Sequence, residues 1–97
     1  MAFEPSEKIK KILKKLPTSP GVYLHKDKDE VIIYVGKAIN LRSRVRSYFA
    51  KNVDSNKTER LRQRITDIEI ITTDSELAAV LLENTLMKMH KPQYNVL

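Results

Sequence analysis

Glu83 is the carboxylate that most demands an explanation. It lies in the stretch from Thr73 to His90, where Leu77, Val80, Leu81, Leu82, Leu86, Met87 and Met89 point nearly all round a helix axis when projected at about 100° per residue. A charge in so apolar a neighbourhood must be paired, neutralised or bound to a cation, because desolvating it alone is costly. Two explanations follow: a buried salt bridge to one of the central arginines, or a metal-binding or catalytic role. Tyr34 and Lys37 bring a phenol and an ammonium to the end of the apolar run Val31 to Val35, just ahead of a turn. Gly36, between them, is expected to adopt an unusual backbone conformation. Arg44 and Tyr48 are four residues apart and share one face of a helix, while Arg42 and Arg46 share another. One basic face suits a reacting phosphate and the other the flanking backbone.

The net charge of +6 on 97 residues is unevenly placed. Between positions 37 and 64, Lys37, Arg42, Arg44, Arg46, Lys51, Lys57, Arg60, Arg62 and Arg64 stand against Asp54 and Glu59, a local net of +7, whereas residues 65–97 are net −3. A polyanion partner such as a nucleic acid and a solvated helical face are the two readings of this charge. The absence of cysteine excludes disulfides, thiolate zinc sites and cysteine nucleophiles, and His25 and His90 are too few for a histidine-rich metal site. The longest apolar runs are far too short to span a membrane and the N-terminal stretch is lysine-rich, so a cytoplasmic location without membrane insertion is expected.

The elements that must carry these groups follow from periodicity. Ser6 is a helix cap before Ile9, Ile12, Leu13 and Leu16, and Pro17 ends that helix. Pro20 to Leu24 and Val31 to Val35 read as a hairpin about the polar Lys26 to Asp29, the second strand being apolar enough to be covered on both faces. Asn40 caps a helix from Leu41 to Phe49, with Leu41, Val45, Tyr48 and Phe49 facing inward. A short helix from Lys57 to Ile65 and a strand from Asp67 to Thr72 come next. Thr73 and Glu76 then form a capping box for a last helix running to His90, expected to be buried on several sides. The fold class is α/β (α+β): a small three-stranded antiparallel sheet flanked by helices, in the order αββααβα.

Gly21-Val22-Tyr23, ten further residues and Tyr34-Val35-Gly36 together resemble the paired signature of the GIY-YIG nucleases, with valine in place of both isoleucines. Lys37-Ala38, Arg44, Tyr48, Glu83 and Asn95 extend the match. With Leu16-Pro17, Leu82-Glu83-Asn84 and the run from Lys91 to Val96, the whole chain is most similar to the N-terminal nuclease domain of the UvrC family, the incision subunit of bacterial nucleotide excision repair. The resemblance implies the GIY-YIG nuclease fold, one divalent cation (Mg²⁺ or Mn²⁺) on Glu83, and a site made of Tyr23, Tyr34, Lys37, Arg44, Tyr48, Glu83 and Asn95.

In that site Tyr34 occupies the general-base position. A phenol with a pKa of about 10 is a poor base at neutral pH, so Tyr34 needs the positive field of Lys37, Arg44 or metal-bound water to lower it. Arg44 would clamp the non-bridging phosphate oxygens, Tyr48 would bond the same phosphate, and Asn95 would position the water or the metal's ligand shell. His25 and His90 match no site position. The implied activity is incision of damaged double-stranded DNA on the 3′ side of a lesion, in a complex with UvrB. Residues 1–97 would then be a single, monomeric domain of a larger multidomain protein. A homing or structure-selective GIY-YIG nuclease and a non-catalytic basic nucleic-acid-binding module are the alternatives.

Overall fold

A computed structural model describes residues 3–95. In chain order it contains α1 (Glu7–Lys14), β1 (Gly21–Lys26), β2 (Ile32–Ala38), α2 (Leu41–Ser47), α3 (Asn56–Arg64), β3 (Asp67–Thr72) and α4 (Glu76–His90), the order expected from the sequence. A short polar side chain starts each helix by accepting a hydrogen bond from an otherwise orphaned backbone N–H: Ser6 from Ile9, Asn40 from Ser43, Ser55 from Thr58 and Ser75 from Ala78. At α4 this corrects the sequence expectation. Ser75 is the cap, and the Thr73 hydroxyl instead donates to the Ser75 carbonyl at 2.8 Å.

The three strands form one antiparallel sheet, ordered β2-β1-β3. Tyr23 lies opposite Gly36 and His25 opposite Tyr34, but Lys26 pairs with Ile32, so Ile33 is an extra residue in β2. This bulge lets Ile33 join the same apolar cluster as Tyr34. The sheet divides the interior in two. On one face Tyr23, Ile33, Leu41, Val45, Tyr48, Leu61, Ile65 and Ile68 pack with Ile9 and Leu16. On the other, Val22, Leu24 and Val35 meet Ala79, Leu82, Leu86 and Met87 of α4. β2 is covered on both faces, as its apolar sequence requires.

α4 departs from expectation. Ala79 is its one fully buried residue, and Leu77, Val80, Leu81 and Met89 are exposed. The helix covers one face of a single sheet, so only one of its sides can be buried, whatever its other sides carry. Lys91 ends α4 in the left-handed conformation (φ 44°), returning its N–H to the Met87 carbonyl. The chain then folds back along the outer edge of β2, where the Tyr94 N–H donates to the Ile33 carbonyl at 3.0 Å. No helix among the described residues is long and apolar enough to cross a membrane.

Candidate active site

Strand alternation brings Tyr23 and Tyr34 to one face of the sheet, and the C-terminal end of α2 lays Tyr48 over them. The Tyr23 and Tyr48 hydroxyls are 2.8 Å apart, and the Tyr34 ring lies 6.2 Å from Tyr23 and 6.0 Å from Tyr48. Gly36 is required by space. Its φ is not positive, contrary to the sequence expectation, but a Cβ there would run into the Tyr23 ring and hydroxyl.

Sequence reasoning gave His25 no part in this cluster, although it lies two residues beyond Tyr23 on the same strand face. It is fully buried, with its ring 4.8 Å from Tyr48, 5.1 Å from Tyr23 and stacked at 6.1 Å on Tyr34. Neither ring nitrogen has a hydrogen-bond partner among the described residues. Burial lowers its pKa to about 3, so at neutral pH it is an uncharged aromatic spacer.

Burial also raises all three phenols. Tyr34 is pushed up to about 12, chiefly by desolvation and then by Tyr48, with Glu83 adding to the rise and Arg44 opposing it. Tyr23 and Tyr48 rise for the same leading reason. The lowering expected of Tyr34 is therefore absent in the free chain, because removal from water outweighs the one cation that opposes it.

Lys37 and Glu83 approach from the opposite face of the sheet. Lys37 pairs with Val22, whose side chain packs in the α4-facing cluster, and its Nζ lies 3.9 Å from Glu83 Oε1. Glu83 is less enclosed than its sequence neighbours suggest: its side chain is 21% exposed and that of Lys37 50%. Its ionic partner is thus a lysine at the limit of contact, and the arginine salt bridge considered from the sequence does not form. Arg44, on the exposed side of α2, has its guanidinium 5.5 Å from the Tyr48 ring centroid. The site thus straddles β2, phenols on one side and Lys37 and Glu83 on the other.

Glu83 is the carboxylate here that a divalent cation could use. Among the described residues no three His, Asp or Glu side chains stand together. One partly solvated carboxylate suits Mg²⁺, which keeps several waters and takes the rest of its shell from substrate phosphate.

Asn95 reaches the edge of β2 from the far end of the chain. Its Oδ1 accepts from the Val35 N–H at 2.8 Å and its Nδ2 donates to the Val35 carbonyl at 2.9 Å. Both ends of the amide hold β2 in place beside Tyr34. Val96 lies outside the described residues.

The basic segment also divides. Arg62, expected to face DNA, is 4% exposed; it bonds the Ala50 carbonyl, pairs with Glu59 at 2.8 Å and stacks over Phe3. It is a strut between α3 and the preceding loop. Arg42 and Arg46 are exposed but bond the Leu16 and Leu13 carbonyls, closing the C-terminal end of α1. Arg64 joins Asp27 in the hairpin turn to Gln93. Lys51, Lys57 and Arg60 are exposed and have no hydrogen bond or ion pair among the described residues.

The UvrC-like GIY-YIG domain model matches residues 19–96. This chain belongs to the UvrC-like GIY-YIG family. UvrABC system protein C of Streptococcus pneumoniae serotype 2 (strain D39 / NCTC 7466) is 57% identical over 89 residues, which are 92% of this chain and 14% of that protein. The chain thus spans about 14% of the length of the curated relatives it matches. Among solved structures, the GIY-YIG N-terminal endonuclease domain of UvrC from Thermotoga maritima, bound to magnesium as its catalytic divalent cation, superposes with a TM-score of 0.83 at 39% identity, covering 92% of this chain and 97% of that one. Tyrosine-to-phenylalanine and asparagine-to-alanine point mutants of the Thermotoga domain, 38% or 39% identical to this chain with the same TM-score, also hold the catalytic cation. This UvrC-like GIY-YIG fold is the three-stranded sheet and four helices described above.

Proposed function

We propose that this chain is a divalent-cation-dependent endonuclease domain that hydrolyses a phosphodiester bond on the 3′ side of a lesion in double-stranded DNA, within a UvrABC-type repair assembly that includes UvrB. The observation that carries the reading is the convergence of a phenol, a guanidinium, an ammonium and a partly solvated carboxylate around one edge strand, a set suited to phosphoryl chemistry.

Each group has a physical task. Glu83 is the anionic ligand for the cation, a role supported by the Thermotoga point mutants, which keep their cation when a phenol or an asparagine amide is removed. When bound, the cation supplies charge that offsets the negative charge gathering on the phosphate and leaving oxygen. Arg44, always protonated and planar, binds non-bridging oxygens, and Lys37 adds a second positive charge beside Glu83. Tyr34, a neutral phenol in the free chain, orients the attacking water. Base action would need its phenolate, which burial opposes and Arg44 favours. Tyr23, Tyr48 and Asn95 hold that phenol in position. Lys51, Lys57 and Arg60, with the free donors of Arg42, Arg46 and Arg64, meet the flanking DNA backbone.

Nicking of a lesion-bearing duplex in a reconstituted repair complex, with and without Mg²⁺, is the test. Cation-dependent 3′ incision that Glu83→Gln abolishes is the expected outcome. Wild-type rates in that variant would overturn the assignment.

A further inference from the structure

Between the end of β2, α2 and α4 lies an open cleft of about 630 Å³, within the size range of small-ligand sites. Lys37 and Arg44 line its end nearest the site, Ile39 and Val80 give it an exposed apolar surface over the buried Ala79, and Glu76 stands on its rim. On α4, Glu76, Ala79 and Val80, and Glu83 lie on successive turns of one helix side, so the cleft continues the site towards the start of α4. At 1.5 Å per residue, Glu76 and Glu83 are about 10 Å apart along the helix axis, enough for one nucleotide beyond the reacting phosphate.

The distribution of chemistry along this cleft is not that of a phosphate track. Phosphate is favoured at the Lys37 and Arg44 end and repelled at the Glu76 end, and the surface between them is mostly apolar, with Asn40, Ser43 and Ser47 adding uncharged polar groups. The part of a nucleotide that gains from such a surface is its base. In a stacked duplex both base faces are occupied by neighbouring bases, so a base reaches Ile39 and Val80 only after leaving the stack. Ile39, 67% exposed at the mouth, is an apolar side chain of the kind that wedges between base steps, and Val80, 40% exposed, is open to contact.

We propose that this cleft is a nucleoside subsite that receives one unstacked nucleotide next to the phosphate being cut. The proposal rests on the nuclease reading for its ligand class, but it is tested without cleavage. The methyl-labelled chain is titrated at low salt, without divalent metal, with a thymidine trinucleotide and with the same trimer lacking its central base. The intact trimer should shift the methyl signals of Ile39 and Val80 and bind at least about five-fold more tightly than the abasic one. Ile39→Ser and Val80→Ser should each reduce that preference to below about two-fold. Equal affinity for the two trimers, silence of the Ile39 and Val80 methyl signals, or no response at millimolar trimer would overturn it. Loss of metal-dependent nicking with the base preference intact would instead count against the nuclease reading alone.

Discussion

The two faces of the sheet are built to opposite specifications. On the α2 side, Tyr23, His25, Tyr34 and Tyr48 interlock with Phe49, Tyr23 against a glycine that leaves it no spare room. On the α4 side the packing is aliphatic, and the charged groups Lys37 and Glu83 remain in contact with solvent. The two faces divide the labour. Groups that must keep a fixed direction are embedded among rings, and groups that must exchange ligands are left where water and phosphate can reach them.

The largest expected effect comes from the exposed side. Glu83→Gln should lower cation-dependent incision by at least about a hundred-fold while leaving the melting temperature within a few degrees, because a solvated amide costs the fold little. A large loss of thermal stability in this variant would mean that the two sides are not separable. On the embedded side, Gly36→Ala should cost about 1–3 kcal/mol of stability and most of the activity, since the new methyl must displace the Tyr23 phenol. Chemical denaturation and nicking measured together check it.

Tyr34→Phe should leave stability and cation binding intact but slow incision by about ten- to a hundred-fold. If Tyr34 works as a base, a phenol at about 12 in the free chain makes the wild-type rate climb with pH through the alkaline range, and the variant loses that climb. If it only orients water, the variant is slower with an unchanged profile.

These effects also show what could be read from the residues. β3 runs over Asp67–Thr72 as expected, and the helices and strands occur in the expected order, because capping side chains and apolar periodicity act locally. What escaped depends on the third dimension. The apolar sides of α4 gave no sign that only one of them meets a sheet. The need for Gly36 comes from the register that sets it across from Tyr23, and Asn95 meets Val35 from 60 residues away. Arg62 was grouped with DNA-facing cations because charge does not report burial.

A smaller effect sharpens the contrast further. His25 has its folded pKa depressed to about 3 from an ordinary 6.5, so between those values the unfolded chain binds more protons, and stability falls as pH drops through that window. His25→Phe should flatten that acid slope in denaturation curves measured from pH 7 to pH 4, and an unchanged slope would place its cause elsewhere. The smallest expected effect separates two neighbours on α3. Arg60→Ala should weaken DNA binding about two-fold and reduce its salt dependence, whereas Arg62→Ala should lower stability by about 1–3 kcal/mol without a direct effect on the salt slope.

The return of Tyr94 and Asn95 to β2 has a consequence for synthesis. A chain leaving the ribosome in order makes the hairpin, α2 and the tyrosines long before residue 95 exists, so the outer edge of β2 at Ile33 and Val35 stays uncovered until the last few residues described here emerge. Until then that edge can pair with another nascent strand, and Tyr34 lacks the support that Asn95 gives its neighbour. Maturation of the site is thereby timed to the far end of the domain: a ribosome stalled a few codons early would carry all three phenols and Glu83, yet no finished centre.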